Sequence, residues 1–454
     1  MWKNCETVKR VDNQQRFETL REQYLSFTFV SQEVRVEEGT LSIAYHFNLD
    51  GRYDFHPTLT LPPRPFYHWD AVPSAMLESL AFHIGMVELV SYWKLACPKQ
   101  VIVKPFALKT CQCKWWRDLY YHGLGEFRYL NGIDCTAHDF LRIESGTDRE
   151  FATVELPLEE RVLVPVGGGK DSVVTLELLR KAFPVIPLIL NPRGATVGCI
   201  EAAGYDLSKV AVVNRTLDPT MLRLNQEGFL NGHTPFSALL AFITLLVGFG
   251  SGSRYIALSN ESSANESTVP GTDINHQYSK SIDFERDFRG YVARNLSSEI
   301  QYFSFLRPLS EMQIAALFSR FEAYHAVFRS CNAGSKTDSW CGECPKCLFT
   351  WLILSPFLSR ERLTAIFGKD LMADHRLLPV FEELNGTAAV KPFECVGTVE
   401  EVRACVDAMP QRQGTLVEQS PRGEATVEEL LRRFNGEHFL PPQFEQILKS
   451  NLHV

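Results

Sequence analysis

The sequence predicts an α/β protein: a parallel-sheet domain over residues 156–356, an α+β domain over residues 1–155 before it, and a helical appendage over residues 357–454 after it. Three observations carry this prediction. From about residue 160, short β-rich apolar runs alternate with helical patterns, the rhythm of strands joined by crossover helices. One run enters three glycines and then a helical pattern, a strand-loop-helix unit. The 454 residues hold about three domains at roughly 150 residues each. At 45% hydrophobic and 22% charged the composition is ordinary for a globular protein, which excludes collagen-like, coiled-coil and wholly disordered chains.

In the first part, Val34-Arg35-Val36 and Leu41-Ser42-Ile43-Ala44-Tyr45-His46-Phe47 alternate apolar and polar residues and are bounded by Asp50-Gly51, which reads as a hairpin. Ala71 to Lys94 has apolar residues at helical spacing. Cys111 to Gly125 is dense in aromatic and polar residues without clear periodicity and is expected to supply ligand-accessible loops; its Lys114-Trp115-Trp116-Arg117 suits either a nucleotide base or, more simply, a packed aromatic core. The parallel sheet is expected from Arg161 to Val166, Val185 to Leu190, Val210 to Val213 and Tyr255 to Ser259. Phe236 to Phe249 is the most apolar run, but it is shorter than the about 20 residues of a membrane span, so it reads as a buried helix. Two capping boxes, Thr398-x-x-Glu401 and Thr426-x-x-Glu429, open helices in the last part.

The first twenty residues lack the apolar core of an export signal, so a cytoplasmic chain with reduced cysteines is expected. Lys plus Arg at 46 against Asp plus Glu at 54 leaves a net charge of −8, which disfavours nucleic acid and anionic membranes as partners. The oligomeric state is not legible.

In Gly167-Gly168-Gly169-Lys170-Asp171-Ser172, unhindered backbone N–H groups and a helix N-terminus converge on one point, which suits a phosphate. The loop is neither a Walker A loop nor a complete dinucleotide fingerprint. Ser172 would donate to phosphate oxygens, Asp171 would help hold Mg²⁺, and Lys170 could reach a phosphate or simply be solvated. An ordinary tight strand-to-helix turn is the plain alternative.

Cys341-Gly342-Glu343-Cys344-Pro345-Lys346-Cys347, with Cys331 upstream, suits tetrahedral Zn²⁺; an iron-sulfur cluster or free core thiols are the alternatives. Cys111 and Cys113 are too close for a usual zinc finger and are given no metal role. Past the strand at Tyr255, the polar segments Ser259 to Glu266 and Asn275 to Ser281 fall where open α/β sheets bind ligands, although a solvated loop would look similar. His276 and Lys280 are the titratable groups there most suited to proton transfer, and His233 is a weaker candidate.

The glycine loop resembles the S-G-G-x-D-S loop of the PP-loop ATP pyrophosphatases, with Gly167 in place of the leading Ser. That likeness implies an adenine nucleotide alpha-hydrolase-like fold holding ATP and Mg²⁺ at residues 167 to 172. The C-x-x-C-x-x-C ending recurs in the PP-loop enzyme 7-cyano-7-deazaguanine synthase, and this analogy favours structural zinc. The glycine loop, Leu258-Ser259-Asn260-Glu261, Asn275 to Lys280, Cys341 to Cys347 and Lys391-Pro392-Phe393-Glu394-Cys395-Val396-Gly397-Thr398 together resemble the MurL family. The resemblance implies an isomerase that uses ATP and Mg²⁺ to invert the terminal L-Glu of UDP-N-acetylmuramoyl-L-alanyl-L-glutamate, releasing AMP and pyrophosphate, in peptidoglycan synthesis and hence in cell shape and division. On that reading Asp171 serves activation, and His276 and Lys280 are inferred to serve inversion. The competing readings are a PP-loop enzyme adenylating a nucleobase or tRNA, and a nucleotide-binding regulator without turnover.

Overall fold

The computed structural model describes residues 10–452 except 152 and 154; the start of the stretch read for an export signal lies outside the described residues. Eleven strands form one sheet in the order β11-β10-β7-β8-β9-β4-β2-β1-β5-β6, with β3 paired to β2. The strands are β1 (Ser26–Glu37), β2 (Thr40–Leu49), β3 (Tyr53–Phe55), β4 (Thr58–Leu61), β5 (Gln100–Val103), β6 (Arg142–Ser145), β7 (Glu159–Pro165), β8 (Val185–Leu190), β9 (Ala211–Thr216), β10 (Ser253–Leu258) and β11 (Gln301–Ser304).

The expected hairpin is β1–β2, antiparallel with Val34 opposite Ile43. Asp50 and Gly51 both have positive φ, 51° and 69°, as the tight turn into β3 requires. β7 to β11 form the expected parallel portion, and all four runs named from the sequence lie in it. Their near-continuous apolar character follows from burial on both faces. Leu163, Ile186, Leu188, Ile256 and Leu258 face one apolar cluster, while Val162, Val164, Ile189, Tyr255 and Ala257 face the other.

The first face is covered by helices Ser74–Glu88 and Phe236–Gly250, the latter being the most apolar run of the chain and buried from Ala238 onward except for the part-buried Leu240. No described helix is long and apolar enough to cross a membrane. Helix Lys170–Leu179 covers the second face, as do Glu311–Ser319, Pro345–Leu354 and the C-terminal helices Val399–Asp407 and Pro442–Leu452. The helical C-terminal region is therefore packed into the sheet's core: Phe444 stacks on Phe183 at 4.6 Å, and Glu401 accepts from the backbone N–H of Met312 at 3.1 Å. Both capping boxes form, at Thr398 and at Thr426.

Two features were not expected. β4 pairs antiparallel with β9, Leu59 opposite Arg215, so the N-terminal strands continue the parallel sheet. Cys111 to Gly123, expected as loops, is instead most of helix Thr110–Gly123. It buries Gln112, Trp116, Leu119, Tyr120 and Gly123 on one face, a helical stripe obscured by aromatic residues on the other positions. Trp116 stacks on Phe242 and donates to the Tyr291 hydroxyl at 3.2 Å, so this residue of the aromatic stretch is core.

Candidate active site

From β7 the chain builds β8 and β9 on one side and later places β10 and β11 on the other, so strand order reverses between β7 and β10. Open α/β sheets have a crevice at the carboxyl ends of the strands where this happens. A cavity of about 300 Å³ lies there, lined by Gly167, Gly169, Asp171 and Ser172 of the glycine loop and by Ser259 and Asn260 beyond β10. Gly168 has φ +86°, and a Cβ on it would lie 3.1 Å from Ala195, so this position needs glycine. A Cβ on Gly167 would meet nothing within 4 Å, which leaves the backbone open toward the cavity.

Arg193, Lys280, Arg329 and Lys346 also line the cavity, with Asp171 and Asp338 as its carboxylates. This wall suits a polyphosphate. Lys170 does not line it. Its ammonium is buried between Asp171 and Glu311, which outweigh the burial and raise its pKa, so it is neither solvated nor turned toward a phosphate. Ser172 Oγ donates to the Gly169 carbonyl at 2.9 Å. Carboxylate oxygens of Asp171, Glu261 and Glu311 lie within 4.8 Å of one another; the Lys170 ammonium pairs with Asp171 and Glu311, and Asp171 is the carboxylate on the cavity side, where it could share a hard divalent cation with a phosphate.

The two polar segments beyond β10 are tied together by Arg307, which is fully buried and donates to the carbonyls of Glu261 and Lys280. This fixes Lys280 in the cavity wall. Its ammonium donates to Cys395 Sγ at 3.2 Å, and His276 also hydrogen-bonds that thiol. The other side of the His276 ring is held by Glu126, Nδ1 to Oε2 at 2.5 Å. Burial opposes a charge on His276, but the bonds to Cys395 and Glu126 prevail and lift its pKa to about 10. Burial alone would raise the Cys395 thiol; Lys280, Lys346 and His276 instead bring it down to about 6. His233, 3.5 Å from the same Glu126 carboxylate, is pushed by burial to about 4 and is neutral. The structure thus joins His276 and Lys280 through a thiol for which the sequence reading assigned no role.

Cys331, Cys341, Cys344 and Cys347 converge, with Sγ···Sγ distances of 3.6 Å (331–344), 3.7 Å (341–347) and 3.5 Å (344–347). Zn–S bonds of about 2.3 Å in a tetrahedron set sulfurs about 3.8 Å apart, so the four thiols fit one zinc ion. A cluster giving each thiolate its own iron needs a wider spread. Backbone N–H groups of Gly334 and Gly342 point at Cys331 and Cys347, as they do around thiolates. The segment also supplies Cys331, Asn332, Asp338 and Lys346 to the cavity wall. Cys111 and Cys113 belong to no such group among the described residues.

Sequence reasoning missed Cys395, Glu126, Arg193, Arg329 and Lys346. Glu126 is 150 residues from His276 and Cys395 is 115 from Lys280, so no local spacing marks them. In the sequence Cys395 stands out only within the Lys391 to Thr398 segment that resembles the family.

Residues 18–305 match the MurL N-terminal domain and residues 327–433 the MurL C-terminal domain. The chain is 32% identical to a UDP-N-acetyl-alpha-D-muramoyl-L-alanyl-L-glutamate epimerase of Xanthomonas oryzae pv. oryzae, over 96% of this chain and 99% of that one. It is 34% identical to a protein of the same name from a Micromonospora species, over 93% and 97%. A third protein of that name, from Salinispora tropica, is 35% identical over 86% of each chain. With both domains matched and likeness running nearly end to end, the chain belongs to the MurL family.

Proposed function

We propose that this chain is an isomerase that inverts the terminal L-Glu of UDP-N-acetylmuramoyl-L-alanyl-L-glutamate to D-Glu in peptidoglycan precursor synthesis, and that it does so with ATP through an acyl-adenylate. The observation that carries the reading is the cationic cavity over the glycine loop, in a chain whose relatives are named for this epimerase.

The chemistry explains why ATP is needed. A free carboxylate makes its own α-proton very hard to remove, because the carbanion would stand beside an existing negative charge. Attack of a glutamate carboxylate oxygen on the α-phosphorus of ATP expels pyrophosphate and removes that charge. The α-proton is then lost and regained on the opposite face, and water cleaves the mixed anhydride to AMP and the D-Glu product. The backbone N–H groups at Gly167 and Gly169 are suited to the pyrophosphate end, and Arg193, Arg329 and Lys346 to the charge shed in the displacement. Asp171, the carboxylate on the cavity side, would help hold Mg²⁺, which when bound neutralises phosphate charge, while Glu311 stays paired with Lys170. Zinc at the four cysteines would be structural, bracing the cavity wall.

The test incubates the protein with ATP, Mg²⁺ and the substrate, then measures AMP and the chirality of glutamate after acid hydrolysis. AMP and D-Glu, both dependent on substrate, are expected. ATP binding with neither product would defeat the proposal, and AMP with only L-Glu would redirect it to another acceptor.

A further inference from the structure

We propose that the Cys395 thiolate takes the α-proton of the activated glutamyl group, with Lys280 and His276 as positioning residues that hold the sulfur ionised and in place; this rests on the activation chemistry proposed above.

The reasoning starts from lone pairs. A proton acceptor needs one free in the resting site. Lys280 has none, because its ammonium donates to Cys395 and its pKa is raised by that thiol and by Glu261 against the effect of burial. His276 is held between Glu126 and Cys395, and both contacts favour the imidazolium. Glu126 is 3% exposed and taken up by His276 and His233. What remains is the sulfur: Cys395 accepts from Lys280 and His276, lies near the further cation of Lys346, and titrates at about 6. At neutral pH it is a thiolate. The carboxylate–imidazole–thiol series Glu126, His276, Cys395 is the same device that holds nucleophilic thiolates in other enzymes, with the carboxylate orienting the ring and the ring charge favouring the sulfur anion.

Position agrees with chemistry. Cys395 is part-buried, in the segment leading to the N-cap Thr398, and stands behind the cavity wall that Lys280 and Lys346 line. Lys280 touches it and lines the phosphate cavity, so a carbon attached to the α-phosphate there is within one side chain of the sulfur. Two groups serving opposite faces of one carbon, each about 3–3.5 Å from it, stand roughly 6–7 Å apart. Lys280 Nζ and Cys395 Sγ are 3.2 Å apart, so they serve the same face and are not a two-base pair with each other. In the step, the Cα–H bond breaks and an S–H bond forms. The electron pair stays on the substrate as the enolate of the acyl-adenylate, and the opposite face receives a solvent-derived proton.

The experiment runs the full chain and its Cys395→Ala and Cys395→Ser variants in D₂O with ATP, Mg²⁺ and UDP-N-acetylmuramoyl-L-alanyl-L-glutamate. Activation is read as substrate-dependent ATP–pyrophosphate exchange, and inversion as α-deuterium in the glutamate. Expected is activation within a few-fold of wild type, with α-deuterium and D-Glu formation down by about 10²-fold or more. Deuterium entry at the wild-type rate in Cys395→Ala overturns the proposal. Absence of activation in the wild type defeats the underlying function instead, so the two failures are distinguishable. A readout independent of turnover is iodoacetamide labelling of Cys395 at neutral pH, followed by peptide mass. Lys280→Met should slow labelling, Lys280→Arg should restore it, and bound substrate should protect. Labelling that ignores Lys280 would refute the positioning role, and it serves as the deciding measurement if a Cys395 variant does not fold.

Discussion

Cys344→Ser is the perturbation that most directly tests the four-cysteine site. The three Sγ···Sγ distances of 3.5 to 3.7 Å lie just inside the about 3.8 Å expected around zinc. Structural zinc sites contribute on the order of 10–16 kcal/mol of apparent binding, so one thiolate in four carries roughly 3 kcal/mol. In a chain this long each kcal/mol moves the melting temperature by about 2 °C or less, so Cys344→Ser should melt roughly 5 °C lower. Elemental analysis should find one zinc per wild-type chain and a small fraction of that in the variant. Because Cys331, Asn332, Asp338 and Lys346 line the cavity, the variant and the chelated wild type should also need more ATP for half-maximal AMP formation. Wild-type protein with no bound metal, or a variant with unchanged metal content and melting temperature, would refute the reasoning; bound iron with visible absorbance would replace zinc by a cluster.

Gly168→Ala places a side chain at φ +86° and 3.1 Å from Ala195, so it should lose about 1–2 kcal/mol from the backbone alone and most AMP formation, read by melting and product assay. Asp171→Ala should abolish AMP formation while the melting temperature stays within a few degrees, since Lys170 keeps Glu311 as its partner. Trp116→Ala, which empties a fully buried site against Phe242 and Tyr291, should cost about 3–5 kcal/mol in denaturant unfolding. His83 is buried, and its pKa falls from 6.5 to about 4 because burial disfavours the charged ring. The unfolded chain binds a proton there that the fold refuses, so this contribution to stability is complete above pH 6.5 and is lost as pH falls toward 4, on the order of 3 kcal/mol in all. His83→Gln should flatten the melting temperature against pH in that window; an unchanged slope would show that His83 is not the group responsible.

The parts of the fold legible in the sequence were those set by local pattern. β7, β8, β9 and β10 were found because burial on both faces makes a run apolar throughout, and Phe236–Gly250 for the same reason in helical form. The capping boxes at Thr398 and Thr426 were legible because their partners are three residues away. The β4–β9 pairing was not, since Leu59 and Arg215 meet only in the folded sheet. Helix Thr110–Gly123 is obscured in the sequence because Trp115 and Tyr121, which pack part-buried at the margin of its buried face, blur the apolar stripe. At the site, the glycine loop announced itself through backbone requirements that only glycine meets. Lys170 did not, because its pairing with Glu311 depends on a helix 141 residues away.

On the proposed mechanism, the topology lets activation and proton transfer share one wall. Strand order reverses between β7 and β10, so the glycine loop after β7 and the polar segments after β10 border the same crevice. Arg307 ties the second of those segments to the first through carbonyls of Glu261 and Lys280, and being fully buried it leaves them little freedom. Lys280 therefore keeps one position with two neighbours, the cavity on one side and the Cys395 sulfur on the other. A cation in that position would favour both the negative charge that develops on phosphate during adenylation and the thiolate needed before a proton can leave carbon. Removing it should thus depress both steps, whereas removing Cys395 should depress only the second. Measuring pyrophosphate exchange and α-deuterium side by side in Lys280→Met and Cys395→Ala tests that asymmetry, and equal loss of both readouts in the two variants would mean that the sulfur belongs to the activation step as well.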